Sequence, residues 1–157
     1  MKFLIISGAP DTGKTTSINK IALWLTGGVI TSDINGNALP TFLPDASGKY
    51  WDFSIVIILK GKKIIIHSAT DDKYNIDQLV EKIKDNPDTN VVISSCRDLY
   101  WQRDYILDYI KSIGAFLLES PLAKITRRND AASADVWYKG CLLTLHQHLL
   151  LNIPFNL

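Results

Sequence analysis

The sequence predicts an α/β fold, a mostly parallel sheet with helices on both faces and one antiparallel hairpin. Three observations carry this. Short apolar runs of buried-strand length recur along the chain, segments with apolar residues at i, i+3, i+4, i+7 lie between them, and two of the runs are joined by nothing more than Lys60-Gly61-Lys62. Strand and helix in alternation imply right-handed crossovers and parallel strands covered on both faces. The chain of 157 residues is close to the size of one domain, so residues 1–157 are read as a single unit.

The first strand is Phe3–Ser7, five residues ending in a glycine-bearing loop, Gly8–Thr15. Ile18, Ile21, Ala22 and Leu25 then share one helical face before the Gly27-Gly28 stop. Gly28–Ile34, "GVITSDI", reads as a second strand ending at Asp33. Asn35–Trp51 follows neither period and contains two Gly and two Pro, which marks a long loop of the kind used for lids and binding segments. Phe53–Leu59 and Lys63–Ala69 form the hairpin, and their near-continuous apolar character predicts burial on both faces.

Asn75 with Gln78 suits a capping box for a helix carrying Ile76, Leu79, Val80 and Ile83, closed by Pro87. Asn90–Cys96 is the next strand. A helix from about Leu99 to Ser112 follows, with Asp98 as a candidate cap, then a strand over Ala115–Ser120 and a last helix from near Asp130 to about Leu151. Gly140–Leu157 is uncharged yet interrupted by Thr144, His146, Gln147, His148, Asn152 and Pro154. It reads as a buried tail rather than a membrane span.

Seventeen basic against sixteen acidic residues leave a net charge of +1, which gives no electrostatic reason to expect nucleic acid or an anionic membrane as partner. Cys96 and Cys141 have no metal-like spacing, and the chain opens on a strand rather than a signal segment. Reduced thiols and a cytoplasmic location are the expectation. His146 and His148 are two apart, so on a helix they do not chelate together and are assigned to packing.

The loop Gly8-Ala9-Pro10-Asp11-Thr12-Gly13-Lys14-Thr15 fills every fixed position of G-x-x-x-x-G-K-[ST], between a strand and a helix. Glycines let backbone N–H groups converge on an anion, the lysine is a long point charge for the outer phosphates, and the threonine hydroxyl can join the shell of Mg2+. The following helix turns its positive end to the same place. The chain thus resembles the P-loop nucleoside triphosphatase superfamily, near its small-molecule and nucleotide kinases.

The resemblance implies ATP and Mg2+ bound by residues 8–16, with Thr16 completing the first helical turn, and transfer or hydrolysis of the terminal phosphate. Lys14 is then catalytic as well as binding. It also implies an acidic group after the second strand, which falls on Asp33 as base for an acceptor hydroxyl; the same residue suits the turn into Asn35-Gly36. The superfamily's metal-holding Asp directly after an apolar strand is missing, because Ile64–Ile66 lead into His67 and Ser68. Either one of Asp71, Asp72 and Asp33 substitutes, or the metal site is weak and the two loop aspartates form a solvated turn; Asp71 is taken as the metal residue beside Thr15. Arg97 and Arg103 after the "SSC" strand are candidates for contact with phosphate or substrate, Arg97 being taken as catalytic, whereas Cys96 is read as a small buried residue. Lys124, Arg127 and Arg128 resemble a lid cluster or a plain charged surface.

A GTP-specific switch is disfavoured, since no Asn-Lys-x-Asp stretch is present. A non-catalytic nucleotide-binding switch or scaffold stays open as the alternative. The expected partners are a nucleoside triphosphate, an unidentified small-molecule or protein acceptor, and a second copy of the chain.

Overall fold

The structure is a computed structural model that describes residues 1–27, 29–98, 100–122 and 131–157. Its strands are β1 (Lys2–Ser7), β2 (Ser54–Leu59), β3 (Lys62–His67), β4 (Val91–Cys96) and β5 (Phe116–Pro121), and its helices are α1 (Lys14–Thr26), α2 (Lys73–Asp85), α3 (Trp101–Ser112) and α4 (Ala131–Leu151). The strands form one mixed sheet in the order β2-β3-β4-β1-β5. β3, β4, β1 and β5 run parallel, and β2 runs antiparallel to β3 as the hairpin predicts.

Alternation along each strand sorts the core into two clusters. Leu4 and Ile6 of β1, Ile64 and Ile66 of β3, and Val91 and Ile93 of β4 meet Ile18, Ile21 and Leu25 of α1 and Leu145 and Leu149 of α4. Phe3, Ile5, Ile65 and Val92 point the other way, onto Ile76 and Leu79 of α2 and Ile106 and Ile110 of α3. Successive side chains point to opposite faces, so a strand buried on both must be apolar throughout. This α/β arrangement is compatible with three layers.

Four expectations change. Gly28–Ile34 is not a strand: Val29 and Ile30 both donate their N–H to Thr26 O as the helix unwinds, and only a single bridge, Ser32 to Ala38, forms nearby. Val29 is 85% exposed and Ile30 packs on the α1-side cluster from this irregular segment, with no neighbouring strand among the described residues to pair with. α2 begins earlier than Asn75, because the Asp72 carboxylate accepts from Asn75 N at 2.8 Å and so caps the helix itself. Asp98 does not cap α3, whose N-cap is Tyr100. The hairpin strands are shorter than predicted and end at His67, where the side chains turn to polar bonding. Gly28, Leu99 and Asp130, which bounded three predicted elements, lie outside the described residues.

The long connection from α1 to β2 has little regular structure but is well tied. Asp33 accepts from Asn35 N and Asn37 N, Asp45 accepts from Ser47 N and Lys49 N, and Ile34 N reaches Val56 O on the outer edge of β2 at 2.9 Å. Phe42, at φ 57°, is buried beneath it with its ring 4.9 Å from that of Phe53. At the other end of the chain Phe155 and Leu157 are buried in the α1 cluster. Lys2, Lys60 and Lys62 donate to the carbonyls of Pro154, Leu157, and Phe155 with Asn156, respectively. Among the described residues no helix is long and apolar enough to cross a membrane.

Candidate functional site

The loop Gly8–Gly13 leaves the sheet where β1 sits between β4 and β5. Gly8 N donates to Cys96 O at 3.2 Å and Leu122 N to Ser7 O at 2.7 Å, which fixes the loop to both neighbours. A side chain at Gly8 would put its Cβ 2.6 Å from Thr12 Oγ1 and 3.2 Å from Leu122 O, so the chain passes through a gap only glycine fits. Gly13 has φ +91°, and its missing Cβ leaves room for the ring of Tyr138. Asp11 also has positive φ, 63°. Thr12 Oγ1 donates to Ala9 O at 2.9 Å, closing the loop on itself.

Lys14 folds back over this loop, its Nζ donating to Gly8 O at 3.0 Å and Ala9 O at 2.9 Å. Burial lowers its pKa from the ordinary lysine value, Asp71 opposes that, and Arg97 adds to it. α1 starts without a side-chain cap and without an acidic residue in its first turn. Its first N–H groups and the positive end of its dipole therefore face the loop. On the other side of Gly13, the Tyr138 hydroxyl lies 2.9 Å from Ser17 Oγ and donates to Gly13 O at 3.2 Å, which seats α4 against the start of α1.

Next to Lys14 the Thr15 hydroxyl donates to Asp52 Oδ1 at 3.2 Å. Asp52 ends the long connection, and its surroundings hold it in place. Asn19, buried one turn after Thr15, donates through Nδ2 to Thr15 O at 2.9 Å and to Trp51 O at 3.0 Å. Ser68 Oγ donates to Asp52 Oδ1 at 2.9 Å and accepts from Phe53 N at 2.8 Å, while Ser68 N donates to Phe53 O. Ser68 is held in turn from β4, because Ser95 Oγ donates to its carbonyl, as Ser94 Oγ does to that of His67. Neither Asp52 nor its supports Asn19 and Ser68 was singled out from the sequence. The readable signal was a polar Asn set between Ile18 and Ile21 of the apolar helical pattern.

The other candidates divide. Asp71 accepts from Arg97 Nε at 3.1 Å, and both act electrostatically on Lys14, so the structure brings Lys14, Asp71 and Arg97 together. Asp98 acts on Lys14 as well. Asp72 is committed to capping α2. Asp33 lies elsewhere: β3 and β4 separate β2 from β1, and Asp33 sits by the N-terminal end of β2. Its carboxylate accepts from Asn35 N, Asn37 N and Asn37 Nδ2, and hydrogen bonding by Asn37 holds its pKa below the usual carboxylate range. It borders a groove of about 600 Å3 shared with Ser54, Gln78, Glu81 and Lys82.

Arg103 is paired with Glu119 through two bonds, Nε to Oε1 and Nη2 to Oε2, the latter at 2.8 Å. Cys96 is buried, and burial first, then Glu119, push its thiol up to about 12. His146 packs on Trp24 with ring centroids 4.3 Å apart. Thr16 is half-buried in the first turn of α1. Lys124, Arg127 and Arg128 lie outside the described residues. In comparisons with known proteins, no family model matches the chain, no curated protein matches its sequence, and no solved structure matches it at a significant level.

Proposed function

We propose that the chain is a P-loop nucleotide-binding protein that takes ATP with Mg2+ at residues 8–16 and transfers or hydrolyses the terminal phosphate. The observation that carries the reading is the loop itself: a glycine-only passage at Gly8, a left-handed Gly13, an uncapped helix start, and the Lys14 ammonium poised among loop carbonyls. Backbone N–H groups and a helix dipole converging on one point form an anion seat. Lys14 exchanges its two carbonyls for outer phosphate oxygens, a replacement of neutral acceptors by charged ones that strengthens each bond. Arg97, whose guanidinium pairs with Asp71 close to Lys14, is the second cation able to meet developing charge on the transferred group.

The donor set fits magnesium. Thr15 offers a hydroxyl oxygen and Asp52 a carboxylate, and among the described residues no cluster of three or more His, Cys, Asp or Glu gathers. Mg2+ is held in such sites by one or two protein oxygens together with phosphates and several waters. When bound, it supplies neutralisation of phosphate charge. The acceptor is a hydroxyl-bearing small molecule or a protein, and the alternative is a nucleotide-holding switch or scaffold without turnover.

Titration calorimetry with ATP, ADP and GTP, with and without Mg2+, tests the reading. ATP and ADP should bind the wild type and lose most of their affinity in Lys14→Ala. Equal affinity in the two proteins would sink it. Single-turnover loss of the terminal phosphate, with and without pooled hydroxyl compounds, separates kinase, hydrolase and scaffold.

A further inference from the structure

We propose that Asp52 is the positioning residue for magnesium-dependent nucleotide binding, and that through it the long connection between α1 and β2 is coupled to the metal. The inference rests on the nucleotide-binding reading and puts Asp52, which touches Thr15, in the place that the sequence reading gave to Asp71.

The geometry begins with the Thr15 hydroxyl, which has one proton and two lone pairs. Its proton goes to Asp52 Oδ1, so both lone pairs are turned away from the carboxylate and are open to a cation. Rotation of that hydroxyl would otherwise offer a proton to the ion. A carboxylate one bond behind a metal-ligating group fixes that group's orientation and raises its basicity. Asp52 is on the surface, and among the described residues its Oδ2 takes no hydrogen bond, which leaves that oxygen for water of the ion's shell.

A purely structural role explains less. The segment is already pinned on both sides of Asp52, at Trp51 O by Asn19 and at Phe53 by two bonds to Ser68. A neutral side chain accepting from Thr15 and Ser68 would complete that anchor. The charge is the unexplained part, and it sits beside the one hydroxyl suited to Mg2+. The competing carboxylates are engaged otherwise: Asp71 with Arg97, Asp72 with the start of α2, and Asp33 with its own turn.

The test compares wild type, Asp52→Asn and Asp52→Ala. Asparagine keeps the shape and a carbonyl to accept from Thr15 and Ser68, and removes only the charge. The readout is the affinity for ATP in Mg2+ against that in EDTA, from calorimetry, with thermal unfolding as a check on folding. The wild type should gain affinity with Mg2+. In both variants that gain should fall by roughly tenfold, the usual effect of removing a residue behind a metal ligand, while affinity in EDTA stays within about twofold and Asp52→Asn unfolds near the wild-type temperature. Hydrogen exchange should show residues 50–53 more protected by MgATP than by ATP in EDTA, and this difference should vanish in Asp52→Asn. An undiminished magnesium gain in Asp52→Asn would overturn the proposal and leave the nucleotide reading standing. A wild type that binds no nucleotide at all would remove both.

Discussion

Gly13 is asked for two things at once, a left-handed backbone and an empty side-chain position against Tyr138. Alanine there meets φ +91° and places Cβ 3.1 Å from the ring, so Gly13→Ala should destabilise by about 1–3 kcal/mol through backbone strain alone, and should abolish nucleotide binding. Chemical denaturation with parallel calorimetry checks both; retained affinity would show that the loop tolerates another path. His67 makes a second prediction at this scale. Its ring is buried, with Nε2–H donating to Ala69 O and Nδ1 2.8 Å from Ser54 Oγ. Burial lowers its pKa from 6.5, and the bond to Ala69 opposes the shift. The unfolded chain therefore takes up a proton that the folded one resists. The stability at stake is complete above pH of about 6.5 and is lost as pH falls toward the folded value. Urea midpoints between pH 7.5 and 5 should decline for the wild type more steeply than for His67→Gln, and equal slopes would exclude His67 as the cause.

At the scale of elements, the final residues behave as part of the core. Phe155 is 1% exposed, and Lys62 donates to its carbonyl and to that of Asn156 at 2.7 Å. Phe155→Ala should cost about 3–5 kcal/mol, the range for emptying a buried aromatic position, whereas Lys62→Met should cost much less because the carbonyls it serves are near solvent. A loss under 1 kcal/mol for Phe155→Ala would mean that the tail docks weakly. The uncharged run Gly140–Leu157 read as a buried tail, yet among its described residues Leu142, Leu145, Leu149, Phe155 and Leu157 are buried while Leu143, on the face of α4 turned to solvent, and Ile153 beyond it are exposed. β1, the hairpin and the glycine-bearing turn after β1 were legible because each is a local pattern, set by period or by glycine spacing. Gly28–Ile34 misled because β-branched residues make a strand only where a partner strand takes up their backbone groups, and here Val29 N and Ile30 N go to Thr26 O while Ile30 packs on the core. Asp52 was hidden because its partner Thr15 is 37 residues away, across a connection with no period to place its end. Asp72 was passed over for Asn75, three residues on, since both types cap helices and spacing alone does not rank them.

For the whole molecule, the sheet order sets what the site can contain. β4 and β5 flank β1, so the groups nearest the loop come from the ends of those two strands and from α1, with α4 seated across Gly13. The segment after β3 reaches the site through Ser68 and Asp71, and the Asp33 groove opens between β2 and α2. Ligand at the loop should accordingly stabilise the complete fold. MgATP at a hundred times its dissociation constant should raise unfolding free energy by about 2.7 kcal/mol, read as a higher melting temperature that Lys14→Ala does not show. A wild-type melting temperature indifferent to MgATP would argue against binding.

Trp51 occupies an unusual station in this arrangement. Its carbonyl is held by Asn19, its neighbour Asp52 touches Thr15, and its indole lies exposed beneath the ammonium of Lys49, 4.2 Å from the ring centroid. Indole emission responds to nearby charge and to solvent, so the chain carries its own optical reporter one residue from the proposed metal partner. With Trp24, Trp101 and Trp137 changed to phenylalanine, the remaining emission should shift on mixing with MgATP. Stopped-flow traces of that signal would resolve whether the connection settles before or after the nucleotide arrives.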